Sequence, residues 1–175
     1  VVPGDRANPR YQVMLDACGE IGAFAKARGA VLAVETGPER IATLRAFVDA
    51  CGGGVGINFD PANLVMVGSD DPVEGVLAAG GAIVHTHAKD GRSLKPIVPE
   101  AFYHNFAEGG LEWAATCGCC EETPLGEGSV PWTDYLNALT GVGYDGFLTI
   151  EREVKNGAED IRAAVRFLQK TIAAL

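Results

Sequence analysis

Basic residues are scarce in this sequence, and long apolar runs are absent. The chain has 14 Lys and Arg residues against 23 Asp and Glu, which gives a formal net charge of −9 at pH 7. Proteins that follow a nucleic-acid backbone usually present a basic surface, so we expect no nucleic-acid partner. A membrane-spanning helix needs roughly 20 consecutive apolar residues, and a signal peptide needs a charged segment before an apolar one. Neither pattern occurs, so the sequence predicts a cytoplasmic protein without a membrane partner.

Cysteine spacings that suit disulfide bonds or zinc sites are also missing. The sequence has five cysteines, and three of them lie together as Cys117, Cys119 and Cys120. An odd number with this spacing does not fit a disulfide framework. The three are also too close together to supply the paired ligands of a structural zinc site. We therefore interpret them as ordinary thiols in a reducing compartment.

The chain has enough residues for one domain, which we assign to residues 1–175, and 47% of its residues are hydrophobic. Because it opens with Val1 rather than Met, it is expected to be a truncated or processed product. Apolar periodicity and turn residues predict alternating helices and buried strands, whereas residues 91–128 show no clear period and are predicted to form a long connection. The predicted helices cover residues 8–28, 38–50, 71–80, 131–139 and 158–174, and the predicted strands end at Glu35, Asp60, His87 and Glu151.

The four predicted strands share a pattern at their C-terminal ends. Alternate side chains of a strand point to the same face. In each strand one face is almost wholly apolar, and the other face carries an ionisable group near its C-terminal end. The residues that share this second face are Val31, Ala33 and Glu35; Gly56, Asn58 and Asp60; Ile83, His85 and His87; and Phe147, Thr149 and Glu151.

Three carboxylates and one imidazole that meet at one edge of a sheet are typical of a metal site. An oxygen-rich set with one nitrogen suits Mn²⁺, Mg²⁺ or Co²⁺ better than a thiolate zinc site does, and Zn²⁺ is a further candidate. The sequence therefore predicts one divalent ion. Its expected ligands are Glu35, Asp60, His87 and Glu151.

The repeated order of strand and helix predicts an α/β fold with a parallel sheet. Functional groups at the carboxyl ends of strands occur in (β/α)₈ TIM barrels and also in doubly wound sheets. The barrel is favoured, because all four strands place polar groups on one face and no glycine-rich phosphate-binding loop follows the first strand. A barrel typically needs about 250 residues. We therefore expect this chain to contain only about the last four βα units.

Five stretches resemble one known family, in the order that the family has them. The set resembles the C-terminal half of the xylose isomerase-like TIM barrel superfamily, the sugar phosphate isomerase/epimerase group. In that family a Glu, an Asp, a His and a Glu from strands five to eight hold a divalent metal, and the matching positions are the four predicted ligands. One position departs from related epimerases, which often carry His where this chain has Asn63. The five stretches are 34–39, 57–64, 84–90, 124–128 and 143–153.

The resemblance implies a metal-dependent isomerase or epimerase that acts on a small sugar or polyol derivative. The implied chemistry is proton abstraction next to a carbonyl through a metal-stabilised enediolate, with Glu35 and Glu151 as the catalytic acid and base. The candidate substrate-binding residues are Glu39, Asn63, Lys89 and Arg92. The residues expected to support the metal ligands are His85 and Asn58, and Asn58 is expected to orient Asp60.

Two other functions stay open. Endonuclease IV, a metal-dependent phosphodiesterase, belongs to the same superfamily, but it uses three zinc ions and additional histidines, and the acidic charge of this chain argues against it. The other alternative is a non-catalytic half-barrel fragment. Four βα units cannot close a barrel, so we expect the open edges to pair with a missing N-terminal half or with a second copy of the chain. Without that pairing Val31, Ile83 and Phe147 would be exposed to water.

Overall fold

The computed structural model describes residues 2–68, 70–154 and 157–175. Within these ranges there are six strands: β1 (Leu32–Glu35), β2 (Val55–Phe59), β3 (Ile83–Ala88), β4 (Asp90–Ser93), β5 (Cys120–Thr123) and β6 (Leu148–Ile150). The helices are α1 (Pro9–Lys26), α2 (Ile41–Ala50), α3 (Pro61–Val67), α4 (Pro72–Ala79), α5 (Pro99–Cys117), α6 (Trp132–Gly141) and α7 (Gly157–Ile172), with a 3₁₀ turn at Gly80–Ala82. The strands β1, β2, β3 and β6 form a parallel sheet in that order, and β4 pairs with β5 in an antiparallel sheet.

Side-chain caps fix where the helices begin. The Asn8 side chain accepts a hydrogen bond from the backbone nitrogen of Arg10 at 2.9 Å, so α1 begins at the predicted place. Helix α2 begins at Ile41, later than predicted, where Asp70 accepts a hydrogen bond from the Ile41 nitrogen at 2.7 Å. Helix α3 was not predicted, although Asp60 caps it and proline follows at the first helical position.

The main core lies between the sheet and the helices that cover its outer face. Ile57 and Phe59 of β2 are fully buried there, together with Leu44 of α2 and Tyr135 of α6. The rings of Phe59 and Tyr135 stack with their centroids 5.9 Å apart. This packing confirms that one face of each central strand is apolar and turned towards helices.

One part of the predicted strand pattern is wrong. Ile57 pairs with Ile83, but the next residue, Asn58, pairs with His85, so Val84 is an extra residue in β3. This irregularity places Ile83 in the core at 7% exposure and leaves Val84 at 39% exposure. The face that carries His85 and His87 therefore does not include Ile83, because a bulge reverses the alternation at that point.

The segment between β3 and α6 is more regular than the sequence predicted. It contains β4, α5 and β5 rather than a long irregular connection. Gly110 interrupts α5 with φ 59° and ψ −157°, which separates its two halves. On the first half Phe102 and Tyr103 pack against Met66 and Val67 of α3. The segment therefore forms a small second layer at the carboxyl end of the parallel sheet.

Asp90 ties this layer to the rest of the fold. Its carboxylate is 1% exposed and accepts five N–H hydrogen bonds, four from backbone nitrogens and one from the Trp132 indole. The backbone donors are Gly91, Gly126, Gly128 and Val130, at 2.8 to 3.3 Å. The loop before α6 is thus held to the start of β4 through one side chain.

The two outer strands of the parallel sheet, β1 and β6, each pair with one neighbour among the described residues. Beside them Val31 is 49% exposed and Phe147 is 83% exposed, whereas Ile83, which was expected to be exposed with them, is buried. No helix in the described part of the chain is both long enough and apolar enough to cross a membrane.

Candidate metal centre

The four predicted ligands meet at the carboxyl end of the parallel sheet. Glu35 ends β1, Asp60 follows β2, His87 lies in β3 and Glu151 follows β6. One potential ligand atom from each side chain lies within 4.8 Å of all the others. Parallel strands bring their carboxyl ends to one edge, so residues far apart in the chain form a single cluster here.

The imidazole of His87 occupies the middle of this cluster. Its Nδ1 lies 2.6 Å from Glu151 Oε2, 3.3 Å from Asp60 Oδ2 and 3.7 Å from Glu35 Oε1. One nitrogen and three carboxylate oxygens thus face a common point. Hard oxygen donors with a single imidazole nitrogen suit a divalent ion, so the donor set fits the ion that the sequence predicts.

Neighbouring groups fix each carboxylate in place. The Thr36 hydroxyl donates to the Asp60 carbonyl oxygen and accepts from the Asp60 nitrogen, both at 3.0 Å, which fastens the end of β1 to the end of β2. Asp60 uses Oδ1 to cap α3 through the nitrogens of Ala62 and Asn63, so Oδ2 is directed to His87. The Asn63 amide donates to Glu35 Oε1 at 3.0 Å.

Lys89 holds the fourth ligand. It is 6% exposed, and its Nζ donates to Glu151 Oε1 at 3.0 Å. The carboxylates of Glu153 and Glu122 lie 3.6 and 4.0 Å from the same nitrogen. Burial alone would lower the pKa of Lys89, but Asp60 and Glu151 outweigh it and raise that pKa above its usual value. The lysine therefore stays charged in the midst of these carboxylates.

The cluster shifts the proton affinities of its own members. Contact with the carboxylates of Asp60 and Glu151 raises the pKa of His87 to about 10, against the opposing effect of burial. The hydrogen bond from His87 lowers the pKa of Glu151 to about 2. Burial, followed by the charge of Asp60, raises the pKa of Glu35. Three carboxylates in close proximity thus favour a cation between them.

A cavity of about 660 Å³ opens beside the cluster. Glu35, Asn63 and Lys89 line it on the cluster side. Its opposite wall comes from α3, α5 and β5, and most of the side chains there are apolar. That wall includes Met66, Val67, Phe102, Tyr103, Phe106 and Cys120. Most of these residues lie in the segment that the sequence placed in a long connection, where its aromatic residues were expected to cover the site or a subunit contact.

Two of the four residues predicted to bind substrate line the cavity, and the other two do not. Asn63 and Lys89 line the cavity, as expected for substrate-binding residues, although each already donates to a glutamate of the cluster. Glu39 does not line the cavity, since its carboxylate lies beside Gly37 and the backbone of Val2. Arg92 is half exposed on β4 and pairs with Glu121.

Two residues were expected to support the ligands. The His85 ring lies edge-on to the His87 ring, with centroids 6.0 Å apart. The Asn58 amide was expected to orient Asp60, but it contacts His87 instead, with Nδ2 3.1 Å from Nε2. Thr36, which fastens Asp60, was missed by the sequence interpretation. Its only signal is a small polar residue directly after a predicted ligand.

The clustered cysteines take no part in the candidate metal site. Cys117, Cys119 and Cys120 are reduced and form no disulfide bond within the described part of the chain. The Cys119 nitrogen donates to the sulfur of Cys117 at 3.3 Å. Burial raises the pKa of the Cys120 thiol to about 11, so this cavity residue is protonated at neutral pH.

The profile of the family described as xylose isomerase-like TIM barrel matches residues 1–171. This match covers nearly the whole chain, so the protein belongs to the xylose isomerase-like TIM barrel family. The resemblance that the sequence motifs indicated is thereby confirmed.

Known relatives are longer than this chain. An uncharacterized protein of Bacillus subtilis (strain 168), YfiH, is 28% identical over 144 residues, which cover 78% of this chain and 42% of that protein. The crystal structure of a xylose isomerase domain protein from Planctomyces limnophilus is 29% identical with a TM-score of 0.76, and the match covers 98% of this chain and 55% of that one. The structure of an L-ribulose 3-epimerase shares the fold at 16% identity with a TM-score of 0.67, over 99% of this chain and 57% of that one. The chain thus spans about half the length of these proteins.

Proposed function

We propose that this protein is a divalent-metal-dependent isomerase or epimerase of a small sugar or polyol derivative. The observation that carries the proposal is the convergence of Glu35, Asp60, His87 and Glu151 beside a cavity at the carboxyl end of the sheet. Active sites of barrel enzymes lie at this end. The L-ribulose 3-epimerase that shares the fold supports a sugar as the substrate class.

Glu35 and Glu151 are proposed to act as the acid and the base. A divalent ion held by the four side chains would polarise the carbonyl and hydroxyl oxygens of a bound substrate. Glu35 and Glu151 would flank that substrate, so that one could remove the proton next to the carbonyl and the other could return it. Asn63 and Lys89 hold one oxygen of Glu35 and of Glu151 respectively, which fixes the direction of both carboxylates.

The ion is proposed to be Mn²⁺, Mg²⁺ or Co²⁺, with Zn²⁺ as a further candidate. Two proteins with the same fold support this range, since the IolI structure is described with a bound zinc and a Mycobacterium smegmatis structure with magnesium. We retain Asn63 and Lys89 as substrate-binding residues. Glu39 and Arg92 are less well placed, because neither lines the cavity.

We further propose that the chain supplies the last four βα units of an eight-unit barrel. Strands β1 and β6 each have a free edge among the described residues, and Phe147 beside β6 is 83% exposed. The length of the relatives supports a partner that contributes four more units. Sedimentation of the purified 18.3 kDa chain tests this part. A complex with a second polypeptide would support it. A dimer that closes one ring would mean that a second copy of the chain supplies the other four units. A stable monomer would overturn it.

Proton exchange tests the catalytic proposal. The chain, loaded with each candidate ion, is incubated with a panel of ketoses and polyol derivatives in deuterium oxide, and exchange of the proton next to the carbonyl is followed by NMR. Exchange on at least one substrate is expected, and Glu35→Gln and Glu151→Gln should each stop it. The exposed Glu108 on α5 provides a matched control, and Glu108→Gln should exchange at the parent rate.

The outcomes separate the alternatives. Parent-rate exchange in both glutamine variants would remove Glu35 and Glu151 from the mechanism. Tight metal binding without exchange on any substrate would favour a non-catalytic module. The endonuclease IV type of phosphodiesterase is less well supported, because in the described residues His85 and His104 do not join the cluster that contains His87.

A further inference from the structure

The amide of Asn58 meets the one nitrogen of His87 that does not face the carboxylates. Asn58 lies on β2 and is 9% exposed. Its Nδ2 is 3.1 Å from His87 Nε2. Its Oδ1 is buried and has no hydrogen-bond partner among the described residues. A buried amide oxygen without a partner costs free energy, so this arrangement needs an explanation.

The bulge in β3 brings the side chains of Asn58 and His87 into contact. Asn58 pairs with His85 only because Val84 is inserted after the Ile57 and Ile83 pair. Without the extra residue Asn58 would pair with Val84, and His87 would be displaced along the strand by one position. The irregularity therefore brings His87 level with Asp60 and within reach of the Asn58 side chain.

The position of the carboxylates decides which imidazole nitrogen carries the proton. Nδ1 faces Glu35, Asp60 and Glu151, so it is the atom that can bind an ion. A neutral imidazole that binds an ion through Nδ1 keeps its proton on Nε2. The group facing Nε2 must then be an acceptor. Rotation of the Asn58 amide by half a turn changes its shape very little, and it places Oδ1 there.

We propose that Asn58 is a positioning residue that holds His87 in the Nε2–H tautomer. Its Oδ1 accepts the hydrogen bond from Nε2–H, which leaves the Nδ1 lone pair directed at the ion. The same rotation gives Oδ1 a partner and moves Nδ2 to the place that Oδ1 had. This inference rests on the proposed metal site, and it adds a role that differs from the expected orientation of Asp60. Second-shell partners of this kind typically change metal affinity by about 10- to 100-fold.

Two measurements on the 175-residue chain test the inference, with Zn²⁺ as the diamagnetic probe. Nitrogen-15 NMR of the zinc-loaded protein reads the tautomer directly, and we expect a protonated Nε2 with a slowly exchanging proton. Calorimetry then compares zinc affinity in variants. Asn58→Leu keeps the shape without an acceptor, and its affinity should fall about 10- to 100-fold. Asn58→Asp keeps an acceptor and should bind zinc within about tenfold of the parent. Asn105→Leu, on the exposed side of α5, is the matched control and should bind as the parent does.

The results can overturn the inference in separable ways. Zinc bound to Nε2 with the proton on Nδ1 would overturn it even if no variant folds, because that result comes from the parent protein. Equal zinc affinity in the parent and in Asn58→Leu would also overturn it and leave the metal site standing. A parent that binds no zinc would remove both this inference and the proposed metal centre. Zinc binding with the expected tautomer but without proton exchange on sugars would leave this inference intact and remove the proposed catalysis.

Discussion

Two buried aspartates near the carboxyl end of the sheet differ in how many of their carboxylate oxygens accept N–H hydrogen bonds from the protein. Asp60 is 0% exposed and Asp90 is 1% exposed. Both oxygens of Asp90 are used by N–H donors of the protein. Asp60 accepts backbone N–H hydrogen bonds at Oδ1 only, and its Oδ2 faces His87 and the two glutamates of the cluster.

Burial of a carboxylate therefore does not by itself indicate function. A buried charge needs partners, and Asp90 finds all of them in the loop that it organises. Asp60 has one oxygen that accepts no backbone hydrogen bond and lies near other carboxylates. A cation bound there would balance these negative charges. The direction of the remaining oxygen distinguishes a structural aspartate from a candidate ligand.

The largest effect on stability is expected for Asp90. In Asp90→Ala five donors lose their acceptor, and each buried donor left without a partner costs about 1–3 kcal/mol. The effects are not additive, so we expect a loss of at least about 3 kcal/mol in the free energy of unfolding, measured by urea denaturation. Asp134→Ala, an exposed aspartate in the first turn of α6, should cost less than about 1 kcal/mol. Equal losses in the two variants would contradict the structural role of Asp90.

Asp60 should show the reverse behaviour. In Asp60→Asn the helix cap is kept, since Asn caps as well as Asp does, and only the charge contact with His87 is lost, so the free energy of unfolding should fall by less than in Asp90→Ala. The metal affinity should fall by more than about 100-fold, because loss of a ligand exceeds the effect of losing a second-shell partner. Asp71→Asn is the control, as Asp71 caps α4 through Val73 and Glu74 in the same way. Unchanged affinity in Asp60→Asn would remove Asp60 from the site.

Substitution of a glycine that packs against Asp90 tests the same structural role, with a smaller expected effect on stability. A Cβ atom at Gly128 would overlap Asp90 Oδ1 and approach the Gly91 nitrogen to 2.6 Å. Gly128→Ala should therefore destabilise the protein by about 1–3 kcal/mol, as overpacking usually does. At Gly81 a Cβ would meet nothing within 4 Å, so Gly81→Ala should be neutral or slightly stabilising. Thermal unfolding of the two variants compares the sites, and a neutral Gly128→Ala would mean that the loop can move away from Asp90.

The cluster around Asp60 should also bind metal in a pH-dependent manner. In the metal-free protein the pKa of His87 is raised from 6.5 to about 10, so this interaction stabilises the fold fully below pH 6.5 and is lost as the pH rises through 10. A bound ion needs the neutral ring, so metal binding at neutral pH should release about one proton, and affinity should rise about tenfold per pH unit. Calorimetry in buffers with different ionisation heats measures the released proton. Binding without release would show that His87 is already neutral or is not a ligand.

The four strand ends could be predicted because short apolar runs keep their alternation. Glu35, Asp60 and Glu151 follow from this period alone, and the parallel order of the strands then brings them together. His87 also follows from it, although the bulge lies only three positions earlier at Val84. The one trace of the bulge in the sequence is Gly56, where a Cβ atom would meet the Val84 side chain. Such a trace is recognised only when the pairing is already known.

The secondary structure of the cavity wall could not be predicted, for two physical reasons. The two glycines Gly109 and Gly110 interrupt the helical period of α5, so no single apolar stripe extends over its length. Strands β4 and β5 are four residues each, and they exist through pairing between distant positions such as Ser93 and Cys120. Local patterns do not record a contact of that kind. The elements that form this wall were therefore missing from the sequence interpretation.

Because the four candidate ligands come from four different strands, the cluster is complete only when the last strand joins the sheet. Glu35 and Asp60 belong to strands that pair directly with each other, whereas Glu151 reaches the cluster only after β6 has joined β3. An ion held by all four would bind the folded chain and not the unfolded one. At a free concentration of 100 times its dissociation constant it would stabilise the fold by about 2.7 kcal/mol. The C-terminal part of the chain would then unfold more slowly as the ion concentration rises, and hydrogen exchange at the amides of β6 would record the concentration of free metal.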